Sequence, residues 1–375
     1  MTRTLVTLSE ISTLRTGKLN SNAAVVGGAY PFFTCSKETF QIDKYAFDTE
    51  AVLLAGNNAN GIFPLKYYKG QFNAYQRTYV IETKDPSVLS TRYLYYALRP
   101  ALKHFEQASI GAATQYLTKG ILDNFAIQLP DISQQNKIAS ILASYDDLIE
   151  NNRRRIALLE DAARLLYREW FVHVRFPGHE HVKIVDGIPE GWSQTPLSEL
   201  VTMVMGQSPK SEFYNTHGDG LPFHQGVTNY GFRFVTDTTY STKVTKLAEP
   251  EDILFSVRAP VGRINVTLNK MILGRGLAAF RSKKGNQSFL LYQLKSHFFK
   301  EDLIGGGAIY AATNKKDLEK LELLQPTDEL VGAFEQISRP IDDQICALSL
   351  QTDHLVNARD LLLPRLMDGR LEVAA

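Results

Sequence analysis

Few residues in this chain have the types and spacing that chemistry requires. Glu82-Thr83-Lys84, with Asp48 upstream, resembles half of a metal-dependent nuclease site, in which carboxylates hold a cation against the scissile phosphate. Such triplets arise often by chance, and ordinary surface charge is the weightier reading. His179-Glu180-His181 has poor metal spacing, because neighbours on a loop rarely converge on one ion without further ligands. A GxxxxGK[ST] phosphate loop is missing, as are an Asn-Pro-Pro-aromatic motif and a strand running into a Gly-rich cofactor turn. These gaps speak against ATP hydrolysis and against a complete methyltransferase. Cys35 and Cys346 lie far apart and in no CxxC pattern, which argues against zinc and disulfides and fits a reducing cytosol.

Loops that mix bases, amides and aromatics are more informative. In the first half these are Thr34, Ser36 and Lys37, then Asn57, Asn58 and Asn60 in a Gly-flanked turn, Lys66 with Tyr67, and Arg77. In the second half they are His224, Gln225, Thr228, Asn229 and Tyr230, then Arg258 and Arg263 around an APVG turn, and Arg275 between two glycines. Arg, Asn and Gln can make paired hydrogen bonds to base edges, while Lys, Ser, Thr and Tyr can hold phosphates. For any one of them a plain solvated side chain is the competing reading; as groups they gain weight by recurring at matching places in both halves. Arg153-Arg154-Arg155 sits mid-helix, where a solvated or partner-facing surface is the better reading.

The elements that position these loops follow from a repeat. The chain matches itself at a period of about 196 residues. LPDISQQNKIASILASYDDLIENN from Leu129 aligns without a gap on QPTDELVGAFEQISRPIDDQICAL from Gln325, and Gly111, Lys119 and Leu122 match Gly307, Lys315 and Leu318. Earlier blocks match with shifted offsets: Leu8-Ser9-Glu10 and Gly17 with Leu197-Ser198-Glu199 and Gly206, Tyr30-Pro31-Phe32 with Leu221-Pro222-Phe223, AVLLAGNNANG (51–61) with DILFSVRAPVG (252–262), and YQRTYVI (75–81) with GRGLAAF (274–280). Insertions between blocks fall in loops, which tolerate them.

Each repeat reads as a globular part followed by a long helix. The globular part mixes strands (AVLLAG, RTYVIET, DILFSV, LAAFRS) with helices (STRYLYYALRPALKHF, SFLLYQLKSHFFKEDL), an α+β pattern without βαβ alternation. The first long helix carries a heptad seam: Ile138, Leu142, Tyr145, Ile149, Asn152, Ile156, Leu159, Ala163, Leu166 and Trp170. Asn152 is either a register device or a tolerated polar residue near a gap. The second helix keeps Phe334, Ile341, Leu348, Leu355 and Leu362 but has Ser338, Thr352 and Arg359 in the alternate seam positions, and Pro340 is expected to kink or break it. A helix of ~38 residues is ~57 Å long and outruns one small domain. A pseudo-two-fold axis would make the two helices antiparallel, a ruler between two reading heads.

Composition sets outer bounds. Of 375 residues, 44% are hydrophobic and 22% charged, with a formal net charge of +1. That suits two or three globular domains and gives no global pull toward nucleic acid. No leader-like segment opens the sequence and no run of about 18 apolar residues marks a membrane span.

The string LPDISQQNKIASILASYDDLIENNRRRIALLE, then AARLLYREWFV, FPGHE and IPEGW, is similar to the central region of specificity subunits of type I restriction–modification systems. The ending DLLLPRLMDGRLEV, with SVRAPVG and GRGLAAF, resembles the same family. The resemblance implies two target-recognition domains in tandem pseudo-two-fold repeat, separated by two long antiparallel coiled-coil-like helices. Mapped here, these are a first recognition domain at 1–132, a helical spacer at 133–172, a second recognition domain at 173–328 that opens on a connector (173–192), and a second helical spacer with tail at 329–375. It further implies a cytoplasmic subunit, non-catalytic and binding no cofactor itself, that reads a bipartite double-stranded DNA site. Its partners would be two methyltransferase subunits and, through them, motor-nuclease subunits, with S-adenosylmethionine, ATP and Mg held by those partners and no membrane involved. Base-reading positions cannot be carried over, since recognition domains vary most within the family. AGNNANG and YQRTYVI stand where the second domain has SVRAPVG and GRGLAAF, so the halves are expected to read different sequences.

Overall fold

A computed structural model describes residues 3–59, 61–298 and 313–373. Two compact units emerge: Met1–Arg153 with Leu350–Ala375, and Arg154–Ser349. Asn60, Gly307 and the end of the SFLLYQLKSHFFKEDL segment lie outside the described residues.

In the first unit a six-stranded sheet runs in the order Ser12–Thr16, Thr78–Thr83, Phe47–Ala55, Leu65–Ala74, Tyr30–Phe33, Phe40–Ile42. The central strand shows why. Its side chains alternate between faces, so Val52 and Leu54 enter one core with Tyr93, Leu94 and Leu98 of helix Thr91–Ala108, while Ala51 and Leu53 enter another with Phe33, Phe72 and Val80. The helix starts at Ser90, whose hydroxyl accepts the Tyr93 N–H at 3.5 Å, filling one of the donors a helix start leaves open.

The second unit builds the same scaffold with more interruptions. A four-stranded sheet (Val201–Met205, Leu277–Ser282, Ile253–Ser256, Ile264–Val266) accompanies a five-stranded one (Tyr214–Asn215, Tyr240–Ser241, Leu221–His224, Met271–Leu273, Leu247–Ala248). Ile253 and Phe255 face one core and Leu254 the other. The long strand Leu65–Ala74 of the first unit has two short counterparts here, Ile264–Val266 and Met271–Leu273.

Each unit also contains parts of two helices, Ile132–Tyr167 and Asp328–Met367, and within each unit those parts run antiparallel. In the first, Gln134 reaches the Val373 carbonyl, Asp146 pairs with Arg359, and Asn152 donates to Gln351 at 3.1 Å. In the second, Ile156 packs with Ile345 and Leu348, while Ala163, Tyr167 and Trp170 pack with Val331 and Phe334. The seam residues Ile138, Leu142, Ile149, Asn152, Ile156, Ala163 and Trp170 are all buried. The expected break at Pro340 does not occur; the helix continues through it. Pro340 and Gln336, whose carbonyl loses its partner, are both exposed, so water can satisfy that carbonyl while Phe334 and Ile345 hold the buried side.

Candidate nucleic-acid interface

Strand register shows that the two units are built on one plan. The parallel contact Phe32–Asn73 recurs as Phe223–Ile272, the antiparallel contact Ala55–Thr78 as Ser256–Leu277, and Ser12–Thr83 as Val201–Ser282. Connecting hydrogen bonds recur as well: Gly56 N–H to Arg77 O and Val257 N–H to Gly276 O, Tyr75 N–H to Phe33 O and Gly274 N–H to His224 O, Leu117 N–H to Gly56 O and Thr313 N–H to Val257 O. Gly17 and Gly206 are needed for one reason. A Cβ would stand 1.7 Å from the Ala74 carbonyl oxygen at the first and 2.1 Å from that of Gly274 at the second. By this register Thr34 corresponds to Gln225, Asn57 to Arg258, Gln76 to Arg275 and Arg77 to Gly276.

In the second unit four loops leave matching strand ends and meet. Gln225, Thr228, Arg258 and Arg275 line one open depression of about 410 Å³. Gln207, Ser208, Ser211, Tyr214, Gln225 and Arg275 line a neighbouring one of about 540 Å³. Gln225, Thr228, Arg258 and Arg275 are exposed, and neither guanidinium has a carboxylate partner among the described residues. Ser208 fixes the Arg275 backbone by accepting its N–H at 3.1 Å. Arg263 is exposed beyond the turn and lines neither depression; its N–H is spent on the Ser256 hydroxyl at 2.8 Å. Asn229 is half-buried and donates to Thr238 at 2.6 Å.

The first unit gathers its residues through Cys35. That thiol donates to Asn57 Oδ1 at 3.0 Å and contacts the Arg77 carbonyl at 3.4 Å. The Arg77 guanidinium lies over the Tyr116 ring, 5.9 Å from its centroid, and Asn57 and Asn58 pair with Tyr116 and Gln115. Ser36 accepts the Glu38 N–H at 3.1 Å, shaping the loop that exposes Lys37. Gln76 is exposed and donates to Asn20 at 2.8 Å.

The nuclease-like residues take structural roles: Glu82 pairs with Arg15, Lys84 donates to the Ser9 carbonyl, and Asp48 accepts from Gln71. His179–His181 forms one exposed 3-10 turn. No group of His, Cys, Asp and Glu suited to a metal occurs among the described residues.

A family model for the type I restriction modification DNA specificity domain matches residues 3–161 and again 189–329. The chain belongs to this family. Specificity subunits are the non-catalytic, DNA-recognising parts of type I restriction–modification complexes. A Methanocaldococcus jannaschii protein assigned as the MjaX type I restriction enzyme specificity subunit is 31% identical over 334 residues, spanning 84% of this chain and 77% of that one. The Escherichia coli EcoDI specificity subunit is 44% identical over 163 residues, spanning 44% of this chain and 35% of that one. The crystal structure of a type I system S subunit from M. genitalium shares the fold, with a TM-score of 0.69 over 98% of this chain and 96% of that one at 18% identity. No described helix is long and apolar enough to cross a membrane.

Within this specificity-subunit fold, five expected reading residues are redirected. The His224 side chain is 1% exposed and bound to Asp237 at 2.8 Å. Tyr230 packs against the cluster around Leu254 and Met271, and burial pushes its phenol well above the usual range. Thr34 is buried and accepts the Ser36 N–H. Lys66 supports loop 34–39 from beneath, donating to the Glu38 carbonyl and the Thr39 hydroxyl over the Phe33 ring. Tyr67 donates to Glu50 at 2.9 Å, and burial raises its phenol to about 12. Gln207, Ser208 and Ser211 join this surface, and the only sign of their loop in the sequence is the alignment of Gly17 on Gly206.

Proposed function

We propose that the chain reads a bipartite double-stranded DNA site, one half per unit, and serves as the docking subunit for two methyltransferase subunits, through which motor-nuclease subunits join. In the second unit Gln225, Thr228, Arg258 and Arg275 face the DNA with Gln207 and Ser208. In the first, Ser36, Lys37, Asn57, Asn58 and Arg77 do so, with Gln76 beside them. S-adenosylmethionine, ATP and Mg belong to the partner subunits. One observation carries the reading: register-matched strand ends in both units bear polar side chains able to bond base edges or phosphates. Side chains differ at those matched positions (Asn57 against Arg258, Gln76 against Arg275), so the half-sites differ in sequence.

The test is to assemble the full chain with its methyltransferase partner, supply S-adenosylmethionine, and map methylated positions on random duplex DNA. The expected result is methylation confined to a two-part motif with an unspecified spacer. Methylation without sequence preference, or the same motif after the chain is replaced by another specificity subunit, would refute it.

A further inference from the structure

The second unit holds a buried charge cluster with no obvious part in its core. Arg233 lies on loop 225–239, between strands Leu221–His224 and Tyr240–Ser241. Its side chain is 4% exposed. It ion-pairs with Glu160 at 2.6 Å and with Asp342, donates to the Tyr292 hydroxyl at 3.4 Å, and lies 5.5 Å from the centre of that ring. Lys295 pairs with the other Glu160 oxygen, and Tyr292 donates to Asp342 at 2.9 Å. Two cations and two carboxylates thus balance, the condition under which buried charges are tolerated.

The first unit shows what is unusual here. Its counterpart cluster is Tyr96 donating to Asp146 at 2.8 Å, with Arg99 and Arg359 on the same carboxylate. There the clamping arginine comes from the long helix itself. In the ungapped helical alignment Arg359 falls on Ala163, so the second unit has no arginine at the matching helical position. The arginine arrives instead from the loop whose other end supplies Gln225 and Thr228 to the depression with Arg258 and Arg275.

The rest of the loop is built around that anchor. Gly231 N–H bonds the Phe234 carbonyl at 3.0 Å, closing a tight turn with Arg233 inside it. Asn265 holds the Gly231 carbonyl, and Val266 N–H the Arg233 carbonyl, each at 3.0 Å. Phe234 packs with Ile156, Ile345 and Leu348 of the two helices. Thr236 N–H then returns to the Asn229 carbonyl at 2.9 Å. Fixing one end of a loop on a rigid helix pair restricts the conformations open to the other end.

We infer that Arg233 is a positioning residue for sequence recognition: by tying loop 225–239 to Glu160 and Asp342 it sets the geometry with which Gln225 and Thr228 meet DNA, so that one half-site alone depends on it. This rests on the assignment of those two residues to the DNA face.

The test uses the full chain assembled with its methyltransferase partner. Arg233→Met combined with Asp342→Asn removes one charge of each sign and leaves Lys295 paired with Glu160. Arg359→Met with Asp146→Asn removes the same two charges in the first unit and there leaves Arg99 without that carboxylate. Methylation maps and thermal unfolding are recorded for both. The Arg233 pair is expected to lose discrimination at positions within one half-site by roughly tenfold to a hundredfold, the range of one lost base contact, with the other half-site intact. The Arg359 pair is expected to lower stability and change neither half-site. Arg233→Lys keeps the charge, cannot span both carboxylates, and should give an intermediate loss. Folded Arg233 variants that read both half-sites as the parent does would overturn the inference. So would an even loss across both half-sites that tracks the Arg359 control. A parent complex with no sequence preference would instead refute the assignment of the DNA face, and the inference with it.

Discussion

Burial over the Phe33 ring pulls the Lys66 ammonium down to about 8, with Glu38 opposing the shift. The unfolded chain should titrate at the ordinary 10.5 and therefore holds more protons across the window between the two values. Stability from this group rises as pH climbs from about 8 toward 10.5. Side-chain NMR should place the Lys66 titration near pH 8, and Lys66→Met should flatten that part of the stability profile; an ordinary lysine titration would show that the ammonium is solvated. His224 tests the opposite kind of site. His224→Ala leaves a cavity and strips a hydrogen bond from Asp237, so it should cost about 2–3 kcal/mol in denaturant unfolding. The methylated motif should stay the same. A changed motif would mean that the His224–Asp237 contact also sets the geometry of the loop that carries Gln225.

Among the elements, the helix seam carries one of the apolar cores of the second unit. Phe334 is fully buried and ringed by Tyr167, Trp170, Phe171, Phe289 and Tyr292. Phe334→Ala should cost about 3–5 kcal/mol, visible as a lower unfolding midpoint; a loss under about 1 kcal/mol would mean the seam contributes little to this unit's stability. Asn152 gives a sharper question. It is 4% exposed and bonds Gln351, which is itself exposed. If it is merely tolerated, Asn152→Leu exchanges one wet hydrogen bond for apolar contact and raises the melting temperature. If it fixes register, the variant populates more than one helix pairing, seen as doubled NMR resonances for Ala143 and Ala157 of the same helix.

For the molecule as a whole, near-neutral charge is the governing fact: 41 Lys and Arg stand against 40 Asp and Glu. DNA affinity grows with the number of phosphates neutralised, so the isolated chain should bind duplex DNA weakly at physiological salt and tightly only with its methyltransferase partners. Sequence-specific binding at nanomolar concentration by the chain alone, read by fluorescence anisotropy, would contradict this. Because each unit has its own sheet and core, the half-sites should also vary independently. Gln225→Ala with Arg275→Ala should alter one half of the methylated motif, and Asn57→Ala with Arg77→Ala the other.

Self-similarity at a fixed offset reveals the duplication, and apolar spacing, which repeats every two or every three to four residues whatever surrounds it, reveals the two long helices and four of the strands. The matches made between AVLLAGNNANG and DILFSVRAPVG, and between YQRTYVI and GRGLAAF, coincide with strand register residue for residue. Which polar side chains face outward follows from how distant segments pack. His224 and Gln225 are neighbours, yet one is sealed against Asp237 and the other lines the depression. Arg233 and Arg258 are the same residue type, yet one is buried because Glu160 and Asp342, 73 and 109 residues away in the chain, come to meet it. Pro340 sits in an unbroken helix because its ring faces solvent and the packed side does not need its N–H. His224 and Arg233 owe their burial to partners elsewhere in the chain, and no local pattern encodes a partner's arrival.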